Sequence, residues 1–143
     1  MKVRPAAWIV QDGLVLTMRY QYGTEIVHVL PGGNPDPGEA LPETLARELE
    51  EELGITARIG RMILACEVLN FNQKEDTLHC VFEAEIASGE PHLDHGHTSA
   101  QAIAWISPDE LAQLTLYPNV SEFLGETTGS FRYAGPVVQP YKS

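Results

Sequence analysis

Four glutamates, Glu48, Glu50, Glu51 and Glu52, fall within five consecutive positions of the run RELEEELG. On a helix, at about 100° per residue, Glu48, Glu51 and Glu52 share an arc of roughly 100° while Glu50 points to nearly the opposite side. Leu45, Ala46, Leu49 and Leu53 form the neighbouring stripe, the face such a helix buries on a sheet. The acidic cluster therefore flanks the core. Like charges at i, i+3 and i, i+4 destabilise an exposed helix by roughly 0.2–0.5 kcal/mol per pair, and more where water is partly excluded. A hard divalent ion such as Mg²⁺ offsets that repulsion, because it takes carboxylate oxygens, keeps waters and completes its octahedron with substrate phosphates. Taken alone, the run also fits the plainer reading of a solvated acidic face.

The elements that must position these groups are mostly strands. VRPAAWIV and LVLTMRY are apolar runs separated by QDG, a turn signal that predicts a hairpin, and EIVHVL supplies a third strand. PGGNPDPGEALP concentrates Gly and Pro and reads as an irregular loop. A helix is expected from about Pro42 to Leu53, stopped by Gly54 as its C-terminal cap. ITARIGRMILACEVLNF and TLHCVFEAEI follow as β-rich runs joined by NQKED, and AIAWI is a last short strand. SPDELAQL predicts a short helix with Ser107 as N-cap and Pro108 at its first position. The tail from Glu126 is rich in turn formers and has no placement from pattern alone.

The chain of 143 residues, 43% hydrophobic, is long enough for one domain and too short for two ordinary ones, so residues 1–143 are read as a single domain. A formal charge of −11 argues against electrostatic attraction to nucleic-acid backbones or anionic membranes; an anionic ligand would need a metal between. Cys66 and Cys80 lie in apolar runs and read as small buried side chains, without a disulfide framework. The apolar run at the amino terminus stops at Gln11 and Asp12, short of a secretory segment, and no run reaches transmembrane length. A cytoplasmic protein is the expectation.

From Gly33 to Ile55 the sequence GNPDPGEALPETLARELEEELGI resembles the Nudix box, G-x5-E-x7-R-E-U-x-E-E-x-G-U with U aliphatic. Gly33, Glu39, Arg47, Glu48, Leu49, Glu51, Glu52, Gly54 and Ile55 match every fixed position, nine over twenty-three residues, which makes a chance match very improbable. VLPGG and AIAWISPDEL extend the likeness to roughly residues 3–118. The resemblance implies an α/β fold, an α/β/α sandwich on a mixed sheet with the box as a loop-helix-loop.

It implies roles as well. Glu48, Glu51 and Glu52 would hold one to three divalent cations, Mg²⁺ or Mn²⁺, with the Gly32 carbonyl or a neighbour completing the shell. Arg47, which can reach Glu43 or Glu51 at i±4, would orient the helix and its carboxylates, and Glu39 would hold the loop; these five side chains form the expected catalytic set. Gly32 and Gly33 would let backbone approach a metal or phosphate closely, while Gly38 and Gly54 serve turn and cap geometry. Glu48, or a carboxylate of the later loop SGEPHLDHGHTSAQ such as Glu90 or Asp94, would act as general base, although this loop has Gln101 and histidines where relatives often carry glutamates. His92, His95 and His97 could bind a transition metal, but nothing else in the chain supplies a second half to a zinc motif, and a solvated loop is the better reading. Arg19 could meet a phosphate or serve an exposed pairing role, and Trp8 and Trp105 read as core.

The reaction implied is metal-dependent attack of water on a nucleoside diphosphate linked to another moiety, such as ADP-ribose; LYP near the end also resembles the ADP-ribose pyrophosphatase-like branch. Phe71 stands where some subfamilies place a specificity residue, and neither the proline of the ADP-ribose type nor the tyrosine of the diadenosine polyphosphate type is found there. The alternatives are a MutT-like nucleoside triphosphate pyrophosphohydrolase and a catalytically silent nucleotide-binding regulatory domain. An intact set of box carboxylates argues against silence. The expected partner is a small nucleotide, with a homodimer as a further expected assembly.

Overall fold

In the computed structural model, which describes residues 1–72, 74–124 and 130–139, Asp12 and Gly13 both take positive φ, 52° and 76°. That is the backbone of a tight two-residue hairpin, and it joins β1 (Lys2–Gln11) to β2 (Leu14–Tyr22) as expected. The two strands pair only at Val10–Val15 and Gln11–Leu14. Beyond that point β1 leaves β2 and runs parallel to β5 (Thr77–Ser88), from Lys2–Thr77 to Ile9–Ala84. The flank of β2 that β1 gives up is taken by β3 (Glu25–Val29), paired from Tyr22–Glu25 to Met18–Val29. A cleft opens where β1 and β2 diverge.

The remaining elements are α1 (Leu41–Leu53), β4 (Thr56–Val68), β6 (Ala102–Ile106), α2 (Pro108–Leu111), β7 (Leu116–Tyr117), α3 (Ser121–Leu124) and β8 (Arg132–Pro136). The sheet runs β7-β3-β2-β1-β5-β4-β8, with β6 on the other flank of β2. It is mixed: β1/β5, β3/β7 and β4/β8 are parallel and the other pairs antiparallel. One core, around Ile9, Leu16, Met18 and Phe82, lies beneath α1, while the other, around Trp8, Val15, Leu64 and Val81, takes in Leu111 of α2 and Leu124 of α3. Helices cover both faces, which is the expected α/β/α sandwich.

Trp8 is buried on the α2/α3 side, and Trp105 packs partly buried against the α1-side core. Cys66 and Cys80 are free and buried in opposite cores, small apolar side chains as read from the sequence. Ser107 caps α2 through its hydroxyl, which accepts from the Glu110 N–H at 3.2 Å, but the helix ends at Leu111 instead of running on through the predicted SPDELAQL. The sequence pattern also missed β7, α3 and β8. These are short, and β8, with Gly135 and Pro136, has turn composition; pairing to the β4 edge overrides it. The rest of the unplaced tail, 126–129 and 140–143, lies outside the described residues.

Candidate active site

Helix α1 begins one residue before the predicted Pro42 and ends where predicted. Ala40 gives no side-chain cap at the start; its carbonyl accepts from the Thr44 N–H at 3.0 Å, and the Thr44 hydroxyl donates to Glu39 Oε1 at 2.6 Å. At the other end Gly54 takes φ 66°, and its N–H donates to the Glu50 carbonyl. Leu45, Leu49 and Leu53 are at most 1% exposed against the sheet, which fixes the helix's rotation. Glu48, Glu51 and Glu52 come out half-buried along one edge, and Glu50 is exposed. The arc read from the sequence is the arc observed.

Arg47 organises the preceding loop around that edge. Its Nε donates to Glu39 Oε2 at 2.8 Å and its Nη2 to Glu39 Oε1 at 3.0 Å and to the Asn34 carbonyl at 3.1 Å. Its Nη1 donates to Glu48 Oε1 and Glu51 Oε2, both at 3.1 Å. Of the two glutamates in reach by spacing, Glu51 is its partner and Glu43 is exposed. Donors from Arg47, Thr44 and the Asp36 N–H hold the Glu39 carboxyl down at about 2, so it stays an anion that ties loop to helix.

The loop backbone meets the carboxylates at Gly33. A Cβ there would overlap the carboxyl group of Glu48, and one on Gly32 would overlap the Pro5 carbonyl of β1. Pro5 has no N–H, and the Pro31–Gly33 segment lines this edge of β1: Ala7 N–H donates to the Pro31 carbonyl at 2.8 Å and Gly33 N–H to the Pro5 carbonyl at 3.4 Å. Burial raises the Glu48 carboxyl above the usual range, against the pull of Arg47. Burial and the neighbouring Glu48 charge push Glu52 up to about 7, opposed by Arg4.

The Glu52 side chain has no hydrogen bond or ion pair among the described residues. A half-buried carboxylate without a donor, beside two more and a glycine backbone, is a hard-oxygen set that fits Mg²⁺ or Mn²⁺. Among the described residues no three acidic or histidine side chains stand close enough to form a finished cage.

Beside this edge, in the cleft between β1 and β2–β3, lies a cavity of about 460 Å³. Tyr20 and Tyr22 line it with rings stacked 6.1 Å apart, and Phe71 and Tyr117 line it 6.2 Å apart. Lys2, Arg4 and Lys74 bring positive charge, and Asn34 belongs to the loop held by Arg47. Cavity and carboxylates are neighbours, since Asn34 of the lining accepts from Arg47 and follows Gly33, whose backbone packs against the Glu48 carboxyl.

Phe71 therefore lines this cavity. Arg19 stands opposite His28 across β2–β3 and is not among the lining residues; the cations that line the cavity, Lys2, Arg4 and Lys74, were not singled out from the sequence. The signal of Arg4 was faint: it is one of two basic residues at the start of β1, in a chain with only nine Lys and Arg.

The late loop touches the site through its backbone. His92 N–H donates to the Leu53 carbonyl and Asp94 N–H to the Glu52 carbonyl, both at 3.0 Å, capping the end of α1. The His92 ring lies over Gly54, and His95 and His97 are exposed. Glu90 lines a separate groove with Trp105, and Asp94 Oδ1 accepts from the Gly96 N–H at 2.9 Å. The Gln101 side chain donates to Gln21 Oε1 at 3.1 Å.

This chain is 30% identical over 118 residues to the CTP pyrophosphohydrolase of Escherichia coli (strain K12), a match covering 79% of this chain and 81% of that protein. It is 34% identical over 90 residues to a Bacillus subtilis (strain 168) protein whose name includes the words 8-oxo-dGTP diphosphatase; that match covers 63% of this chain and spans only 56% of the relative. The crystal structure of a MutT NUDIX hydrolase from Burkholderia pseudomallei superposes with a TM-score of 0.66 at 30% identity, covering 76% of this chain and 84% of that one. The NUDIX domain matches residues 2–126, and with that the protein belongs to the Nudix family of hydrolases, enzymes that generally require a divalent metal.

Proposed function

We propose that this Nudix hydrolase acts on nucleoside 5′-triphosphates, cleaving the α–β anhydride to a nucleoside monophosphate and pyrophosphate. The observation that carries the reading is the adjacency of an aromatic, cation-bearing cavity to the half-buried glutamate edge. The names of the two curated relatives support it. A nucleoside diphosphate joined to a second group presents the same kind of anhydride and differs in the leaving group. Lys2, Arg4 and Lys74 around the cavity supply positive charge for the additional phosphate of a triphosphate.

In this reading Tyr20, Tyr22 and Phe71 face the base, and Arg4 meets the nucleotide. Glu48, Glu51 and Glu52, with the Gly32 carbonyl, present oxygens for Mg²⁺ or Mn²⁺. A bound ion would neutralise the phosphates and lower the pKa of the attacking water. Water oxygen bonds to phosphorus, the bridging P–O bond breaks with its electron pair leaving on pyrophosphate, and Glu48 accepts the water's proton. Glu48 Oε2 is the oxygen for this, because Oε1 is held by Arg47. Arg47 and Glu39 position the site without touching the reactants.

Residues 1–143 as one domain, and a cytoplasmic setting, belong to the same reading. No helix among the described residues is long and apolar enough to cross a membrane, and two free thiols in opposite cores suit a reducing compartment. The homodimer expectation is tested by light scattering on the eluting peak.

Metal-free protein given Mg²⁺ or Mn²⁺ and a panel of triphosphates, ADP-ribose and diadenosine polyphosphates tests the activity, with products identified by mass. Monophosphate plus pyrophosphate from triphosphates, at the highest kcat/KM, is expected. Preference for a nucleoside diphosphate joined to a second group moves the assignment to that substrate, and no turnover of any compound favours the silent domain.

A further inference from the structure

The guanidinium of Arg4 is the most unusual polar group outside the carboxylate edge. Its Nη1 is buried and has no hydrogen-bond partner, and Arg4 makes no ion pair among the described residues. A guanidinium cannot shed its charge, so desolvating one N–H without an acceptor costs stability unless a ligand supplies the acceptor. No neighbour on its strand pair can do so as an anion. Arg4 stands opposite His79, fully buried and held neutral by desolvation, with Nε2 3.2 Å from the Tyr117 hydroxyl. Tyr117 lines the same cavity and is pushed toward its neutral form by burial.

Resting on the nucleotide reading above, we propose that Arg4 is a specificity-determining residue: its guanidinium reads the edge of the base held among Tyr20, Tyr22 and Phe71, and selects bases presenting two adjacent acceptors. A planar fork of N–H donors matches two neighbouring acceptors and mismatches an acceptor beside a donor. Guanine offers O6 and N7, and cytosine offers O2 and N3. Adenine puts its amino group beside N7, and uracil carries a ring N–H between its carbonyls. A good bidentate pair is worth about 5- to 150-fold in discrimination. The flat aromatic walls hold any base, so selectivity falls to the one buried donor group.

Calorimetric binding of CMP, GMP, AMP and UMP to the metal-free full chain tests this apart from hydrolysis, so a failure of the triphosphate activity does not obscure the result. Wild type should bind CMP or GMP, or both, about 10-fold or more tighter than AMP and UMP; which of the two is bound tells the pyrimidine from the purine pocket. Arg4→Met should reduce that preference to within about 3-fold. Arg4→Lys, which keeps the charge and loses the fork, should lose the preference in the same way while retaining a salt-sensitive affinity for all four. It also decides the matter if the Met variant fails to fold. Equal binding of all four by wild type, no binding of any, or a CMP or GMP preference that survives in Arg4→Lys overturns the proposal.

Discussion

Replacing Glu52 by glutamine should make the metal-free protein more stable and nearly inactive. In the folded chain the Glu52 carboxyl keeps its proton up to about 7, against 4.5 ordinarily, because it is half-buried and faces Glu48. The unfolded chain releases that proton near the ordinary value, so the folded state loses stability as pH rises from about 4.5 to about 7 and carries the full penalty above. At about 1.4 kcal/mol per pH unit the interval corresponds to about 3 kcal/mol, which solvent screening of a partly exposed group trims to about 1–3 kcal/mol. Glutamine keeps the volume and removes the charge. Urea unfolding with a chelator, at pH 5 and pH 8, should therefore show a higher midpoint for Glu52→Gln at pH 8 and little difference at pH 5, with the slope unchanged. Added Mn²⁺ should raise the wild-type midpoint more than that of the variant, and kcat should fall about 100-fold or more. Equal midpoints at pH 8, or a difference independent of pH, would refute the electrostatic reasoning; full turnover by the variant would refute the metal assignment.

Leu49→Ala, which empties the centre of the face that sets the helix's rotation, should cost about 2–5 kcal/mol in chemical denaturation. Arg47→Lys removes the fork joining Glu39, Glu48, Glu51 and Asn34, and should lower kcat about 100-fold through misplaced carboxylates while the far-ultraviolet spectrum is kept. Gly33→Ala should push the Glu48 side chain aside, destabilise by about 1–3 kcal/mol and weaken Mn²⁺ binding measured by calorimetry. Joint replacement of His92, His95 and His97 should shift stability by no more than about 0.5 kcal/mol per site, since their side chains are exposed; stoichiometric zinc lost with them would contradict that.

The helix and its acidic edge were legible because they rest on local rules: a 3.6-residue period, leucines at Leu45, Leu49 and Leu53, and a glycine stop at Gly54. The hairpin at Asp12–Gly13 was legible for the same kind of reason. The cavity was not. It arises because β1 leaves β2 after two residue pairs and gives its flank to β3, a non-local event with no composition signature. For that reason the place of Arg4 on the cavity has no signal in the sequence. β7 and β8 escaped because two and five residues carry no period, β8 has turn-forming composition, and their pairing partners lie far along the chain.

The late loop fastens the end of α1 with two peptide N–H groups, those of His92 and Asp94. Main-chain donors are supplied by any residue except proline, so the clasp places almost no demand on side-chain identity. Mutation can therefore explore this loop next to a reactive centre without loosening the carboxylates, and a descendant chain could acquire a new contact to substrate there by a single codon change.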